Sequence, residues 1–228
     1  MQHIIKVYPK AKSLSSLRKT IRKKLEDNNL NPADCIWGTS ICSDEINNSF
    51  LKIGEDFKGP GPFFFGGISG LPFTGKTGFA AFSSHIPDDG AAIILYGPHV
   101  GVTKNGTFGK VLREGQTEPS SSCGSLIAGL NNVKEGNVLN ISHNDYQQGQ
   151  VHKVLIENYE DIKTADNEIV ATTETGFNQI KKELTDIIGA GLENLGTKPL
   201  LLIGGIIINT DWDQEDFFKI RDISWFNK

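Results

Sequence analysis

A continuous apolar run at residues 200–208 is the feature that most constrains what this chain can fold into. The run reads Leu-Leu-Leu-Ile-Gly-Gly-Ile-Ile-Ile and has the length of a β-strand. It is far shorter than the roughly 20 apolar residues that a membrane-spanning helix needs. A strand without polar alternation is typical of a parallel sheet that is covered on both faces. The run therefore predicts a central strand buried between two layers.

Helix-like and strand-like segments alternate along the rest of the chain. In the first helical segment, Leu14, Leu17, Ile21 and Leu25 recur at helical spacing, and Ser13 is a candidate N-cap. The pattern predicts an α/β fold with a mostly parallel sheet flanked by helices. No Pro/Gly/Ser-rich linker divides the chain, so a single domain is expected over residues 1–228. The predicted helices are 11–27, 159–173 and 177–195, and the predicted strands are 35–42, 91–96, 151–157 and 200–208.

Charge and composition argue against several classes of function. The net charge is −4 and the pI is about 5.7, so no broad basic face for nucleic acid is expected. No segment is apolar enough to suggest a membrane partner, and the first residues lack the pattern of a secretory signal. Three cysteines are too few for a disulfide framework. We therefore expect a cytoplasmic protein whose cysteines bind metal, act in catalysis or fill the core.

One glycine-rich segment matches a phosphate-binding loop letter for letter. Residues Gly70 to Thr77 fit the pattern G-x-x-x-x-G-K-[ST], in which backbone N–H groups cradle phosphates and Lys76 would reach the terminal ones. A segment rich in Gly, Pro and Phe precedes the match where a clean strand should stand, and Pro72 lacks one of the amide donors. A glycine-rich turn leading into a short helix at 76–83 explains the segment better. A nucleotide-binding enzyme remains the less favoured alternative.

A second constellation has the residue types of a zinc site. Cys42 and His99 each follow a predicted strand, and Cys123 lies in a loop before an apolar segment. Residues just past the carboxyl ends of parallel strands converge on one crevice. Two thiolates and one imidazole suit Zn²⁺ and leave a fourth position open, which Asp44 could fill or face. The alternative from residue types alone is two buried cysteines and one core histidine.

The segments around these residues resemble the limiting-CO2-inducible B/C protein family, which is related to the β-carbonic anhydrases. The resemblance covers roughly residues 30–210, and its motifs occur in order along the chain. The motifs are Cys-Ser-Asp-Glu-Ile-Asn at 42–47, Gly-Gly-Ile-Ser-Gly-Leu-Pro-Phe at 66–73, Ser-His-Ile-Pro-Asp-Asp-Gly at 84–90, Leu-Tyr-Gly-Pro-His-Val-Gly at 95–101, Ser-Ser-Cys-Gly at 121–124 and Gly-Gly-Ile-Ile-Ile-Asn-Thr at 204–210.

The resemblance implies a β-carbonic-anhydrase-like α/β fold, a homodimer and the reversible hydration of CO2 to bicarbonate. It assigns Cys42, His99 and Cys123 as ligands of a catalytic Zn²⁺ that activates water. Asp44 matches the aspartate of an Asp–Arg pair, and His85 matches a histidine that we expect to carry the released proton. Four phenylalanines are candidates, by position only, for an apolar wall that holds CO2: Phe64, Phe65, Phe79 and Phe82.

The chain departs from the family pattern near Asp44. We expect an arginine within about a dozen residues, to pair with this aspartate and hold it off the metal, but the segment offers only Asn48, Lys52 and Lys58. One of these lysines, or a distant arginine brought close by the fold or by a partner copy, could substitute. Without a substitute, Asp44 would close the metal site, and the chain would be a catalytically silent zinc-binding protein related to CO2 or bicarbonate. The four arginines are Arg18, Arg22, Arg113 and Arg221.

Overall fold

A computed structural model describes residues 2–57 and 59–227 of the chain. The helices are α1 (Gln2–Val7), α2 (Leu14–Glu26), α3 (Asn48–Leu51), α4 (Gly75–Ser84), α5 (Gly124–Lys134), α6 (Tyr146–Glu157), α7 (Tyr159–Lys163) and α8 (Glu168–Ala190). The strands are β1 (Lys12–Ser13), β2 (Cys35–Ser40), β3 (Phe63–Phe64), β4 (Ala91–Tyr96), β5 (His99–Val102), β6 (Lys110–Val111), β7 (Ser120–Ser121), β8 (Leu200–Thr210) and β9 (Phe217–Phe226).

The sheet is built around β8, as the apolar run predicts. Every residue of β8 is buried. The strand order is β1-β9-β8-β4-β2-β3, and β5 pairs with the second half of β8 after β4 has paired with its first half. The pairs among β2, β3, β4, β5 and β8 are parallel, whereas β9 and β1 add an antiparallel edge. The predicted mixed α/β fold with a mostly parallel sheet is confirmed.

Side chains that alternate along β8 enter two separate cores. Leu202 and Ile206 pack on one side of the sheet, in a cluster that includes residues of α4, α5, α6 and α8. Leu201 and Ile203 pack on the other side, in a cluster that includes the buried face of α2. Because successive side chains of a strand point to opposite faces, a strand between two helical layers is apolar at every position. This explains why the run shows no polar alternation.

The first predicted helix is present as α2. Ser13 caps it, because its hydroxyl accepts a hydrogen bond from the backbone N–H of Ser16. Leu17, Ile21 and Leu25 form the buried face that the spacing predicts. The helix therefore covers one face of the sheet with a single apolar stripe.

One strand prediction is wrong, and one strand is missed. Residues 151–157 belong to helix α6, whose buried residues Val151, His152 and Leu155 follow helical spacing rather than alternation. The predicted helix at 159–173 is divided between α7 and the start of α8. The antiparallel strand β9 has no counterpart among the predictions, because its residues are only partly buried over most of their length.

Among residues 2–57 and 59–227, no helix combines the length and the apolar character that crossing a membrane requires. The expected cytoplasmic location and the expected absence of membrane and nucleic-acid partners stay predictions.

A glycine turn between β4 and β5 places the chain against β8. Gly97 has φ +145°, a conformation that side chains rarely adopt. A Cβ atom at this position would lie 1.7 Å from the carbonyl oxygen of Gly205 in β8. Both the positive φ and the close contact with Gly205 therefore require glycine at position 97. The turn then leads to His99 two residues later.

We predict that Gly97→Ala destabilises the protein by at least about 2 kcal/mol, because the added methyl group meets backbone that cannot move aside. Gly189→Ala is the matched control, since Gly189 is exposed in α8 and a Cβ there meets nothing within 4 Å. The control should leave stability unchanged or raise it by up to about 1 kcal/mol. Urea unfolding followed by circular dichroism measures both, and equal stabilities for the two variants would contradict the prediction.

Candidate metal centre

Three strand or helix ends bring the predicted metal ligands to one point. Cys42 lies two residues past β2, His99 begins β5, and Cys123 is the residue that precedes α5. All three are buried, and their ligand atoms lie within 4.8 Å of one another. Because β2 and β4 run parallel and side by side, the segments that follow them leave the sheet at the same edge. The fold therefore creates a group of donor atoms from residues that are far apart in the sequence.

The two thiols of the centre contact each other directly. The Sγ atoms of Cys42 and Cys123 are 3.9 Å apart, and both cysteines are free of disulfides. The backbone N–H of Ser69 donates to Cys42 Sγ over 3.2 Å. The hydrogen bond with Cys42 lowers the pKa of Cys123 against the opposing effect of burial. The same pairing, together with burial, raises the pKa of Cys42. The contact between the two sulfurs therefore favours ionisation of Cys123 over ionisation of Cys42.

The imidazole of His99 presents a free nitrogen to the two sulfurs. Its Nδ1 lies 2.7 Å from Oδ1 of Asn209, whereas its Nε2 is buried and makes no hydrogen bond within the described residues. A buried polar atom without a hydrogen-bond partner costs free energy. In a native protein such an atom usually contacts a bound water molecule, ion or ligand. Neutral imidazole nitrogen is a common ligand of zinc. The free Nε2 is therefore consistent with a bound metal ion.

The arrangement of the donors fits zinc. Two sulfurs bound to one tetrahedral Zn²⁺ at ~2.3 Å each would lie ~3.8 Å apart. The 3.9 Å separation of the Cys42 and Cys123 sulfurs matches this value without any movement. Cys42, His99 and Cys123 could therefore hold a metal ion, and their donor set is of the kind found in zinc sites.

Asp44 is held by an arginine that is distant in the sequence. Nη2 of Arg113 lies 3.2 and 3.0 Å from the two carboxylate oxygens of Asp44. Nε of the same arginine donates to Glu45 over 2.8 Å, and Nη1 donates to Ser120 over 2.7 Å. The expected position of the arginine, within a dozen residues of Asp44, is therefore wrong, whereas the alternative of a distant arginine matches the structure. Of the candidate lysines, Lys58 lies outside the described residues.

The charge of Asp44 is favoured by this environment. Burial acts to raise the pKa of Asp44, but the hydrogen bond from the Ile46 amide and the positive charge of Arg113 lower it. Oδ2 of Asp44 is 3.8 Å from Nε2 of His99. The carboxylate is therefore ionised beside the donor group without being one of the three grouped atoms.

The end of β8 fixes the segment that carries Arg113. The buried carboxylate of Asp211 accepts hydrogen bonds from the backbone N–H of Lys104 over 3.0 Å and of Leu112 over 2.8 Å. The carbonyl of Leu112 in turn accepts from the backbone N–H of Trp212 over 3.0 Å. The two residues that follow β8 therefore hold Leu112 through its N–H and its carbonyl group, directly before Arg113. Sequence reasoning missed this role; the polar residues that end an otherwise apolar run were the available signal.

The structure does not bring His85 to the centre within one chain. His85 is exposed just after α4, and the segment that follows leads into the amino end of β4. Cys42 lies past the carboxyl end of the neighbouring parallel strand, at the opposite edge of the sheet. The proton-carrying role of His85 stays a prediction.

Of the four candidate wall residues, one lies at the centre. Phe65, Phe79 and Phe82 are at most 1% exposed and belong to the core. Phe64 is 57% exposed, and it lines a cleft of about 280 Å³ together with Cys42 and Asp44.

The glycine-rich segment that matches a phosphate loop supports the metal centre instead. Gly70 has φ +89° and its carbonyl accepts a hydrogen bond from Ser40 over 2.8 Å. Ser69, directly before it, contacts both cysteines and donates to Ser125 over 2.9 Å. Gly66 and Pro72 form an isolated antiparallel bridge, so the match does not follow a strand in the way a phosphate loop does. This geometry gives no support to the nucleotide-binding alternative.

Comparison with known proteins decides the family. A sequence model described as limiting CO2-inducible proteins B/C beta carbonic anhydrases matches residues 11–226. The chain belongs to this family. No curated protein gives a significant match.

Two solved structures show how closely the fold follows that of the limiting-CO2-inducible proteins. PtLCIB4, described as a homolog of the limiting CO2-inducible protein LCIB, is 30% identical with a TM-score of 0.91, and the match covers 98% of this chain and 94% of that one. LCIB itself is 18% identical with a TM-score of 0.74, and the match covers 98% of this chain and 94% of that one. At the lower identity the likeness shows the fold alone.

We predict that the purified protein binds one divalent metal ion per chain and that Cys123→Ser removes most of this binding, because a thiolate ligand is lost from the centre. Cys35→Ala is the matched control, since Cys35 is also buried but packs in the core on the α2 side of the sheet. Metal content by mass spectrometry and zinc affinity by chelator competition measure the effect. Stripping the metal should lower the melting temperature of the parent protein and of Cys35→Ala, but not that of Cys123→Ser. Equal metal content in both variants would contradict the assignment.

Proposed function

We propose that this chain is a zinc-dependent carbonic anhydrase, a lyase that interconverts CO2 and bicarbonate. The observation that carries the proposal is the contact between Arg113 and both carboxylate oxygens of Asp44. A metal ion with three protein ligands keeps a position for a water molecule, which is the arrangement of catalytic rather than structural zinc. Because Arg113 occupies the carboxylate, Asp44 is held as a neighbour of that position instead of a fourth ligand.

The residues of the site have distinct roles in this proposal. Zn²⁺ held by Cys42, His99 and Cys123 would supply a water molecule that is acidic enough to react at neutral pH. Asp44, ionised by its surroundings, accepts a hydrogen bond from the reacting water and so orients a lone pair of the water towards CO2. In the hydration direction the water oxygen bonds to carbon, a C=O electron pair moves to oxygen, and one proton is released.

The cleft beside the cysteines suits an apolar substrate. Its lining includes the apolar residues Ile41, Leu51 and Phe64 together with Cys42 and Asp44. CO2 has no net charge and no dipole moment, so little free energy is lost when it leaves water. Apolar side chains can therefore hold it. We propose this cleft as the approach for CO2.

The homodimer and the cytoplasmic location belong to the proposal as well. Exposed Phe64 lies on β3, which ends the sheet beside the centre. An exposed aromatic residue on a terminal strand is a common feature of surfaces that pair with a second copy. Sedimentation analysis of the purified protein measures this directly; a monomer at micromolar concentration would remove the homodimer from the proposal.

Stopped-flow CO2 hydration with a pH indicator tests the activity, on protein of known metal content beside Cys123→Ser. We expect hydration above the buffer rate in the parent protein and none in the variant. One zinc per chain without hydration would instead support the silent zinc-binding protein, in which Asp44 closes the site.

We predict that Arg113→Ala lowers the hydration rate by at least about 10-fold, because Asp44 loses the partner that fixes it. Zinc affinity should stay the same or rise, since the released carboxylate can approach the metal. A lower hydration rate with unchanged or higher zinc affinity would show that Asp44 has lost its anchor. General damage to the fold would lower both the rate and the affinity. Arg221→Ala is the matched control, because Arg221 pairs with Glu174 and lies over the ring of Tyr8, and neither residue belongs to the centre. A rate unchanged in Arg113→Ala would contradict the role of this pair.

A further inference from the structure

A buried carboxylate lies behind the imidazole of the metal centre, on the side away from the cysteines. Asp216, between β8 and β9, is 9% exposed. One of its oxygens accepts a hydrogen bond from the backbone N–H of Thr210 over 2.8 Å. The other accepts from the hydroxyl of Ser49 and from Nδ2 of Asn209, the latter over 3.4 Å. The carboxylate is thus held by donors on two elements, and it has no direct contact with His99.

Asp216 determines which end of the Asn209 amide faces the metal centre. An ionised carboxylate only accepts hydrogen bonds, so the NH₂ group of Asn209 must point to it and the amide oxygen must point away. Nδ2 of Asn209 also lies 3.5 Å from the side-chain oxygen of Asn47, which accepts from the same group. The reversed amide would place oxygen against oxygen at both contacts. Asn209 is fully buried, so mispaired amide atoms would carry the cost of their desolvation.

The fixed amide in turn determines the form of His99. With Oδ1 of Asn209 only 2.7 Å away, Nδ1 of His99 must carry the proton. In the neutral ring this leaves the lone pair on Nε2, the buried nitrogen that has no hydrogen-bond partner. The hydroxyl of Ser122, 3.3 Å from Nδ1, can rotate and imposes neither form.

We propose that Asp216, acting through Asn209, is a positioning residue that holds His99 in the tautomer and orientation that bind metal. The inference rests on the metal centre of the proposed function, because it concerns the binding of the ion that this function uses. It assigns Asp216 and Asn209 a role that goes beyond closing the turn between β8 and β9. Hydrogen-bond partners of ligating histidines typically change metal affinity by 10- to 100-fold when removed.

The test compares the zinc affinity of three variants with that of the parent protein, by chelator competition. In Asp216→Asn the neutral amide no longer dictates the direction of Asn209, so zinc affinity should fall about 10-fold or more. Asn209→Leu keeps the volume but removes the acceptor for Nδ1, and it should have a similar effect. The double variant N209D/D216N exchanges the two groups, which places a carboxylate against His99. A carboxylate accepts from Nδ1 in either orientation, so this variant should recover affinity to within about 5-fold of the parent.

Asp222→Asn is the matched control, since Asp222 is a carboxylate in β9 that bonds Tyr96 and Lys181 instead of Asn209. Its zinc affinity should stay within about 2-fold of the parent value. Unchanged affinity in Asp216→Asn would overturn the inference. Loss of affinity in that variant without recovery in the double variant would also overturn it, because a role limited to the turn predicts no rescue. If Asp216→Asn does not fold, the comparison of Asn209→Leu with N209D/D216N decides between the same two results.

Measurements of zinc affinity and of CO2 hydration together distinguish the proposed function from the positioning role of Asp216. A parent protein that binds zinc but hydrates no CO2 removes the proposed function, and the pattern of affinities still decides the role of Asp216. Active protein with equal affinities in all variants removes the role of Asp216 alone. A parent protein that binds no zinc overturns both.

Discussion

The burial of β8 on both faces is the constraint on which the rest of the structure depends. Its side chains fill two separate cores, and its backbone pairs with β4 and β5 on one side and β9 on the other. Polar side chains are therefore confined to its carboxyl end and to the turn that follows. There Asn209 contacts His99, and Asp211 anchors the segment that leads to Arg113. The carboxyl end of β8 therefore helps to position both His99, a candidate metal ligand, and Arg113, the partner of Asp44.

The parts of the structure that follow from local pattern could be predicted from the sequence. The apolar run of β8, the capped stripe of α2 and the strand at 91–96 depend on periodicity and on nearby residues. The grouping of Cys42, His99 and Cys123 could also be predicted, because strand ends in a parallel sheet converge on one edge. These inferences need the order of elements along the chain but no knowledge of long-range contacts.

The remaining features depend on contacts that are distant in the sequence. Arg113 reaches Asp44 from a distant segment that Asp211 anchors at Leu112, so no spacing rule around Asp44 could find it. The segment 151–157 has apolar residues that fit alternation as well as a helical stripe, and packing of α6 against α5 and α8 decides between them. Asp216 lies in an acidic segment of the sequence, and only the folded structure shows that it is buried beside Asn209.

The pairing of β8 with two successive strands has a consequence for how this protein can vary. Because side chains alternate with a period of two, a slip of one residue in β8 would turn Asn209 from His99 towards the opposite face. The same slip would move the carbonyl group of Gly205 out of its close approach to Gly97. Insertions and deletions should therefore be tolerated in the loops at the amino edge of the sheet and excluded from β8. The number of residues in β8 fixes the positions of the residues that contact the metal centre.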